Sequence, residues 1–396
     1  MSNLRIHKYI IKEISIPVFL SLLIFTFVLL MGKIPRVAEL VINKEVPAAE
    51  IFQLFSFLLP TFLSVTIPLS FLLGILLAFG RFSADSEFIA LKASGVSLYN
   101  LVKPVFFLAV LFSLLTAWIT ISIEPASKTA FRSKLFQIAS SSASISVKPG
   151  IFNDDFKGIV LYARGMDENR GIMQDVFISD EREGETPAVI IAQQGRFISD
   201  PNQYSLTLRL SQGSIHRRPP KEKKSTYQII SFTNYDINLA IGDQLNSNNQ
   251  RRRSRGELSW SELKTAIDKA TDDKSRFYYQ TEKHSRIAIA LAPLVLILVG
   301  VPLGLQSQRS GKGAGFALAL VVFLIYYVLL SFAVTIADKG ILPAAIILWL
   351  PNFCFLLGGA WFLHCTAIEK PLQLLRIPQR ILKQLLSRSD KPRDDS

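Results

Sequence analysis

Charged residues vanish from this chain for long stretches and then crowd together. Six uncharged runs, 14–32, 51–80, 104–123, 287–308, 313–337 and 340–368, stand between charge-rich segments. A helix of about 20 apolar residues crosses a bilayer, so the pattern predicts six transmembrane helices. The second run is the longest at 30 residues, and Pro60 and Pro68 offer places for it to bend. Between the third and fourth runs the period changes. From Glu124 to Arg286, Ser, Asn, Asp, Gly and charges return, and apolar residues recur every second position. Strands are predicted over 159–164, 175–180, 188–193, 204–210, 214–217 and 227–239, the last broken near Asn234, with Gly165, Gly171, Gly184, Gly195 and Gly213 as punctuation. The alternation is cleanest in Tyr204-Ser-Leu206-Thr-Leu208-Arg-Leu210, with one apolar and one polar face. Many short strands at even spacing suggest a sandwich, jelly roll or open barrel. Such a domain is either an inert β-unit or one that opens its apolar interior to hold an acyl chain.

The fold class is therefore a polytopic α-helical membrane protein with six transmembrane helices and an inserted all-β, jelly-roll-like domain. Residues 1–123 hold spans one to three. Residues 124–286 hold the β-domain with a polar linker and a lead-in helix, which the capping box Ser259-Trp-Ser-Glu262 starts. Residues 287–368 hold spans four to six, and 369–396 form a basic tail expected to lie on an anionic membrane surface.

Charge then orients the chain. Placing the N-terminus inside puts fifteen Lys and Arg residues in the inner loops and tail, against four in the short outer loops. Basic residues concentrate on the cytoplasmic side, so both termini are expected inside and the β-domain outside. The net charge of +13 is mostly this topology signal and implies no nucleic-acid partner. Lys, Arg, Asp and Glu make up only 19% of the chain, below the roughly 25% of soluble domains. The two cysteines, Cys354 and Cys365, share one apolar run, where a helix would hold them about 16 Å apart. Four scattered histidines give no metal-site spacing.

Catalytic motifs are missing too. Gly311-Lys-Gly-Ala-Gly315 evokes a P-loop, but Gln306 stands where the first glycine belongs and Gly313 where Ser or Thr belongs. No carboxylate pair lies inside a span, as a proton relay would require. The chain reads as a non-enzyme that needs no cofactor or metal, and any work it does draws on a partner.

The informative polar segment is the loop 81–95, Arg81-Phe-Ser-Ala-Asp-Ser-Glu87-Phe-Ile-Ala-Leu-Lys-Ala-Ser-Gly95. It predicts a short amphipathic helix capped by Ser83 or Asp85 and ended by Gly95, with Phe88 and Leu91 on one face. Such a helix either merely connects two spans or couples to a cytoplasmic ATPase. In the coupling reading Arg81, Ser86 and Glu87 supply polar contacts, and Phe88 and Leu91 an apolar anchor. A carboxylate in the first turn suits the helix dipole and can accept a charge-assisted bond from the partner. At the outer end of span one, Lys33 and Arg36 either snorkel to the interface or meet headgroup phosphates.

These features resemble the lipopolysaccharide-export permeases LptF and LptG over nearly the whole chain. The resemblance is carried by Tyr9-Ile-Ile-Lys-Glu13 and by Ser86-Glu87, Leu91 and Ala93-Ser-Gly95 in the loop. It is carried also by Leu303-Gly304, Arg309-Ser-Gly311, Gly315-Phe316 and Trp349-Leu-Pro351-Asn352. It implies a periplasmic jelly roll that relays lipid over Tyr204, Leu206, Leu208 and Leu210. It implies an inner-membrane pair of LptF and LptG, here leaning to LptF, on an LptB ATPase dimer with LptC alongside. Lipopolysaccharide would be extracted and passed to an LptA-like periplasmic bridge. Two other readings compete. A mechanotransmitting permease usually has four spans and a coiled-coil stalk, and a partner-binding scaffold needs one or two anchors rather than six.

Overall fold

The structure, a computed structural model, describes residues 2–35, 47–146, 148–156, 158–167, 171–182, 188–200, 205–217, 227–239, 253–306 and 311–368. Arg36, Tyr204, most of the basic linker and the tail lie outside the described residues. The first helices are α1 (Ser2–Met31), α2 (Ala48–Ala84) and the short α3 (Glu87–Ala93). Next, α4 (Leu98–Trp118) runs through a π-helical turn (Ile119–Ile123) into α5 (Glu124–Ser146). Six strands follow: β1 (Asn153–Phe156), β2 (Ile159–Asp167), β3 (Ile172–Asp180), β4 (Ala188–Asp200), β5 (Ser205–Arg217) and β6 (Gln228–Leu239). The chain then forms α6 (Trp260–Asp268), α7 (Asp273–Gln306), α8 (Gly311–Asp338), α9 (Ala344–Ile347) and α10 (Leu350–Ala367). Two compact units result: one of residues 1–33, 59–125 and 258–396, the other of 34–58 and 126–257.

The first unit is the helical bundle. Six helices are long and apolar enough to cross a membrane, as the uncharged runs predict. Helices are forced there because lipid offers no partner for a free backbone group. α2 spans 37 residues, about 55 Å at helical rise, and stays helical through Pro60 and Pro68. It is also the most enclosed span, with 83% of its apolar window buried against 22% for span one. α2 and α7 contribute to both apolar cores: one shared with α1 and α4, the other with α8 and α9. Their close approach depends on Gly304, where an added Cβ would stand 2.8 Å from Cβ of Phe79. Small residues play this part where lipid removes the hydrophobic drive for helix association. Buried polar groups are satisfied across helices: Ser113 donates to the Ala290 carbonyl, and Tyr326 donates to Asn352 Oδ1 at 2.9 Å.

The second unit carries the β-domain. Its six strands form one antiparallel sheet in the order β1-β2-β3-β4-β5-β6, so each strand pairs with its sequence neighbour. A jelly roll would place strands by Greek-key crossovers, and the described strands make a meander instead. The sheet nevertheless builds a closed core. Leu161, Ala163, Met173, Ile178, Leu208 and Leu210 are fully buried in a cluster drawn from the sheet alone.

It does so by folding along a crease. The four ladders from β2 to β6 run without register shift, yet the pairs Arg164/Asp175, Asp175/Gln193, Gln193/Gln212 and Gln212/Thr233 are missing from them. Asp175 and Gln212 have left-handed φ of 50° and 55°. At this line the buried face changes parity: Met173 then Val176 in β3, Ala192 then Gly195 in β4, Leu210 then Ile215 in β5. The halves face each other. The rings of Phe156 in β1 and Phe197 in β4 are 6.1 Å apart, where a flat sheet would separate those strands by about 14 Å. Arg182, just after β3, reaches the Asn238 carbonyl in β6 at 2.7 Å.

The crease also explains the sequence-based strand ends. The predicted limits at Arg164, Asp175, Gln193, Leu210 and Asn234 all fall within two residues of it. They mark half-strands of continuous strands, and β1 was not predicted. Gly213 is not a turn either: a Cβ there would collide with the Ile191 carbonyl of the adjacent strand.

Candidate functional site

The loop after α2 joins a linked set of polar side chains from α1, α2 and α3. Ser83 and Asp85 do not cap its helix, contrary to the sequence-based expectation. Ser83 belongs to α2 and donates to the Leu305 carbonyl at 2.7 Å. Asp85 pairs with Arg81 at 3.6 Å. Ser86 takes the N-cap position of α3 in a left-handed conformation with no side-chain cap. The other end follows the expectation. Gly95, at φ +87°, donates to the Lys92 carbonyl and Val96 donates to the Leu91 carbonyl, the paired bonds of a Schellman motif.

α3 lies against the bundle by its apolar face. Phe88 and Leu91 are half-buried and pack on the core shared by α1, α2 and α4. They anchor the helix to its own chain, and Ile89 is the exposed large apolar side chain of α3. Glu87 is half-buried and accepts the Tyr9 hydroxyl at 3.0 and 3.2 Å from its two carboxylate oxygens. Arg81 Nη2 donates to the Tyr9 oxygen at 3.1 Å, while Nη1 pairs with Glu13 at 2.6 Å. The Tyr9 ring rests on Phe82 at 5.7 Å between centroids. Beside Glu87 a cavity of about 460 Å³ opens, lined by Arg5, Ile6, Tyr9, Glu87, Ala90 and Leu91. The site therefore presents a positioned carboxylate, an exposed isoleucine and an adjoining apolar recess. In the sequence, Tyr9 and Glu13 stand out only as part of the segment Tyr9-Ile-Ile-Lys-Glu13 that carries the family resemblance; nothing local announces their link to residues more than sixty positions away.

The other predicted residues lie elsewhere. Lys33 is exposed in the turn closing α1. Leu206, Leu208 and Leu210 are buried on the inner face of β5, and Thr207 and Arg209 point to the opposite face. On the polar side, Arg209 and Asp236 form a two-point pair at 2.7 and 2.6 Å. The hydrogen bonds from Arg209 hold the Asp236 carboxyl below its ordinary range. Asp180 is likewise held down, chiefly by its bonds from Arg182.

Fold and site together define a polytopic membrane protein that pairs a six-span bundle with an inserted six-stranded β-domain. The chain belongs to the lipopolysaccharide export system permease LptF/LptG family, whose profile matches residues 8–364. That family consists of permease subunits rather than catalytic ones, and its members are multi-pass inner-membrane proteins. The lipopolysaccharide export system permease protein LptF of Escherichia coli K12 is 23% identical over 269 residues, 64% of this chain and 72% of LptF. An uncharacterized protein of Rickettsia prowazekii is 26% identical over 189 residues, 48% of this chain. The match spans about half (52%) of that relative's length.

Proposed function

We propose that this chain is the LptF-type permease of an LptF–LptG pair. In this reading it extracts lipopolysaccharide from the inner membrane and passes it to an LptA-like periplasmic bridge, with LptC alongside. The alignment to LptF of E. coli supports the choice between the two permeases. ATP hydrolysis resides in a separate LptB dimer. The basic bias puts both termini and the loop 81–95 in the cytoplasm, and the β-domain in the periplasm. Residues 1–123 and 287–368 then form the membrane part, 124–286 the periplasmic part and 369–396 a cytoplasmic tail.

The observation that carries this reading is α3: a seven-residue helix set between two spans, with Glu87 held at the mouth of a recess. Glu87 and Ser86 face the ATPase, Ile89 enters its surface, and Phe88, Leu91 and Arg81 hold the helix to the bundle. Lys33 and Arg36 meet lipid phosphates, and Tyr204, Leu206, Leu208 and Leu210 line the lipid path once the β-domain opens.

The test is reconstitution of the permease pair with its ATPase in proteoliposomes. Glu87→Ala should leave the protein inserted and lower lipid release per ATP. One charge-assisted contact is worth about 1.5–3 kcal/mol, roughly a tenfold to hundredfold loss. Glu87→Lys should be worse, because it sets like charge against a basic partner. Parental docking, hydrolysis and release in both variants would refute the reading.

A further inference from the structure

We propose that Tyr9 is a positioning residue for Glu87, and that through it α3 drives α1 directly. This rests on the reading of Glu87 as the ATPase contact. α3 has seven residues, too few to stand as an independent helix. Its covalent links run back to α2 and on to α4. A polar side-chain link joins it to α1: the Tyr9 hydroxyl donates to Glu87.

Three features make that link a device rather than an incidental contact. First, Tyr9 is held at both ends. Its ring packs on Phe82, and its oxygen accepts from Arg81 while its hydroxyl donates to Glu87. A hydroxyl that donates and accepts at once has its hydrogen direction fixed, and linked bonds of this kind strengthen one another. Second, Arg81 grips α1 twice. It bonds Tyr9 and Glu13, one turn apart on the same face. The series Glu13–Arg81–Tyr9–Glu87 therefore ties three helices together at one level. Third, the carboxylate is pinned by Tyr9 at the edge of the recess that α1 and α3 line together. A carboxylate offers about four acceptor directions, so the Tyr9 bond leaves capacity for a partner cation. A push on Glu87 is then transmitted to the first span through an oxygen bridge.

The variant that isolates this is Tyr9→Phe, which keeps the ring and removes the hydroxyl. It is compared with Glu87→Gln and with the double variant in the reconstituted complex of both permeases and the ATPase. Tyr9→Phe should leave assembly, the KM for ATP and the hydrolysis rate at parental values. Lipid released per ATP should fall about tenfold, as one lost bond to a charged group predicts. The double variant should be no worse than Glu87→Gln alone, because Tyr9 acts only through the Glu87 carboxylate, whose charge Gln has already removed. A merely structural role for Tyr9 would lower assembly and spare the ratio of lipid to ATP. Parental coupling in Tyr9→Phe with defective Glu87→Gln overturns this proposal and leaves the docking reading standing. Losses that multiply in the double variant also overturn it. If Glu87→Gln itself couples normally, the docking reading falls and takes the Tyr9 proposal with it.

Discussion

Two left-handed residues bound α3, and they carry opposite costs. Gly95 adopts φ +87° without penalty, while Ser86 holds φ 57° with a side chain. A non-glycine residue in this region costs about 1–2 kcal/mol. Gly95→Ala should therefore destabilise the C-terminal end of α3 by about 1 kcal/mol, and Ser86→Gly should relieve strain by a similar amount. Amide exchange at Lys92 to Val96 separates the two: faster in Gly95→Ala, unchanged or slower in Ser86→Gly. Gly95 was legible in the sequence because helix-stop chemistry is local. Tyr9 was not, because its hydroxyl acts across 78 residues of sequence, and no periodicity encodes such a pair. The inward turn of Phe88 and Leu91 was half legible. The sequence gives a shared face, and only the bundle decides what that face meets.

Helix and strand each have one feature that decides their packing. For helices it is the α2–α7 contact. Gly304→Val would drive methyl groups into Phe79 and Leu76, and overpacking of this kind costs about 1–3 kcal/mol or more. Its melting temperature in detergent should drop, while Gly358→Val, where an added Cβ meets nothing within 4 Å, stays near parental. For strands it is the ion pairs at the sheet. Arg182 makes a two-point contact with Asp180 and reaches the Asn238 carbonyl besides. Both Asp180 and Asp236 titrate below their ordinary range. Their contribution is full above the unfolded value near pH 4, and it is lost as the pH falls through the lowered folded values. β-domain stability should thus be level from about pH 7 to pH 5 and decline below about pH 4. Arg182→Ala and Arg209→Ala should each flatten that acid limb, as near-ultraviolet circular dichroism of the full chain would register. The helices were largely legible because uncharged length is a direct signal. The helical extension α5 was not, because its polar sequence carries no such signal. Alternation exposed the strands, but its phase slips at the crease, so each long strand read as a short one.

For the whole molecule, the lipid path is the feature most open to test. A photo-crosslinker at Leu208 should capture glycolipid during ATP turnover, and one at Thr207, on the opposite face of the same strand, should not. Equal labelling would refute the relay. Replacing Lys33 and Arg36 together by Glu should reduce lipid loading without loss of assembly; unchanged loading would assign both to interfacial snorkelling. The β-domain interior is filled by its own side chains, so any passenger needs an opening, and the crease says where one is cheapest. Peeling β6 from β5 would break eleven paired positions. Swinging the two halves apart about the crease leaves those ladders whole, because pairing is already interrupted along the line. The domain should then open as a book with a soft spine: stiff pages, a hinge along the line where pairing is interrupted, and Arg182 as the clasp across the fore-edge. Its expected signature in hydrogen exchange is a fast stripe through Arg164, Asp175, Gln193, Gln212 and Thr233, crossing five strands whose flanking amides stay protected.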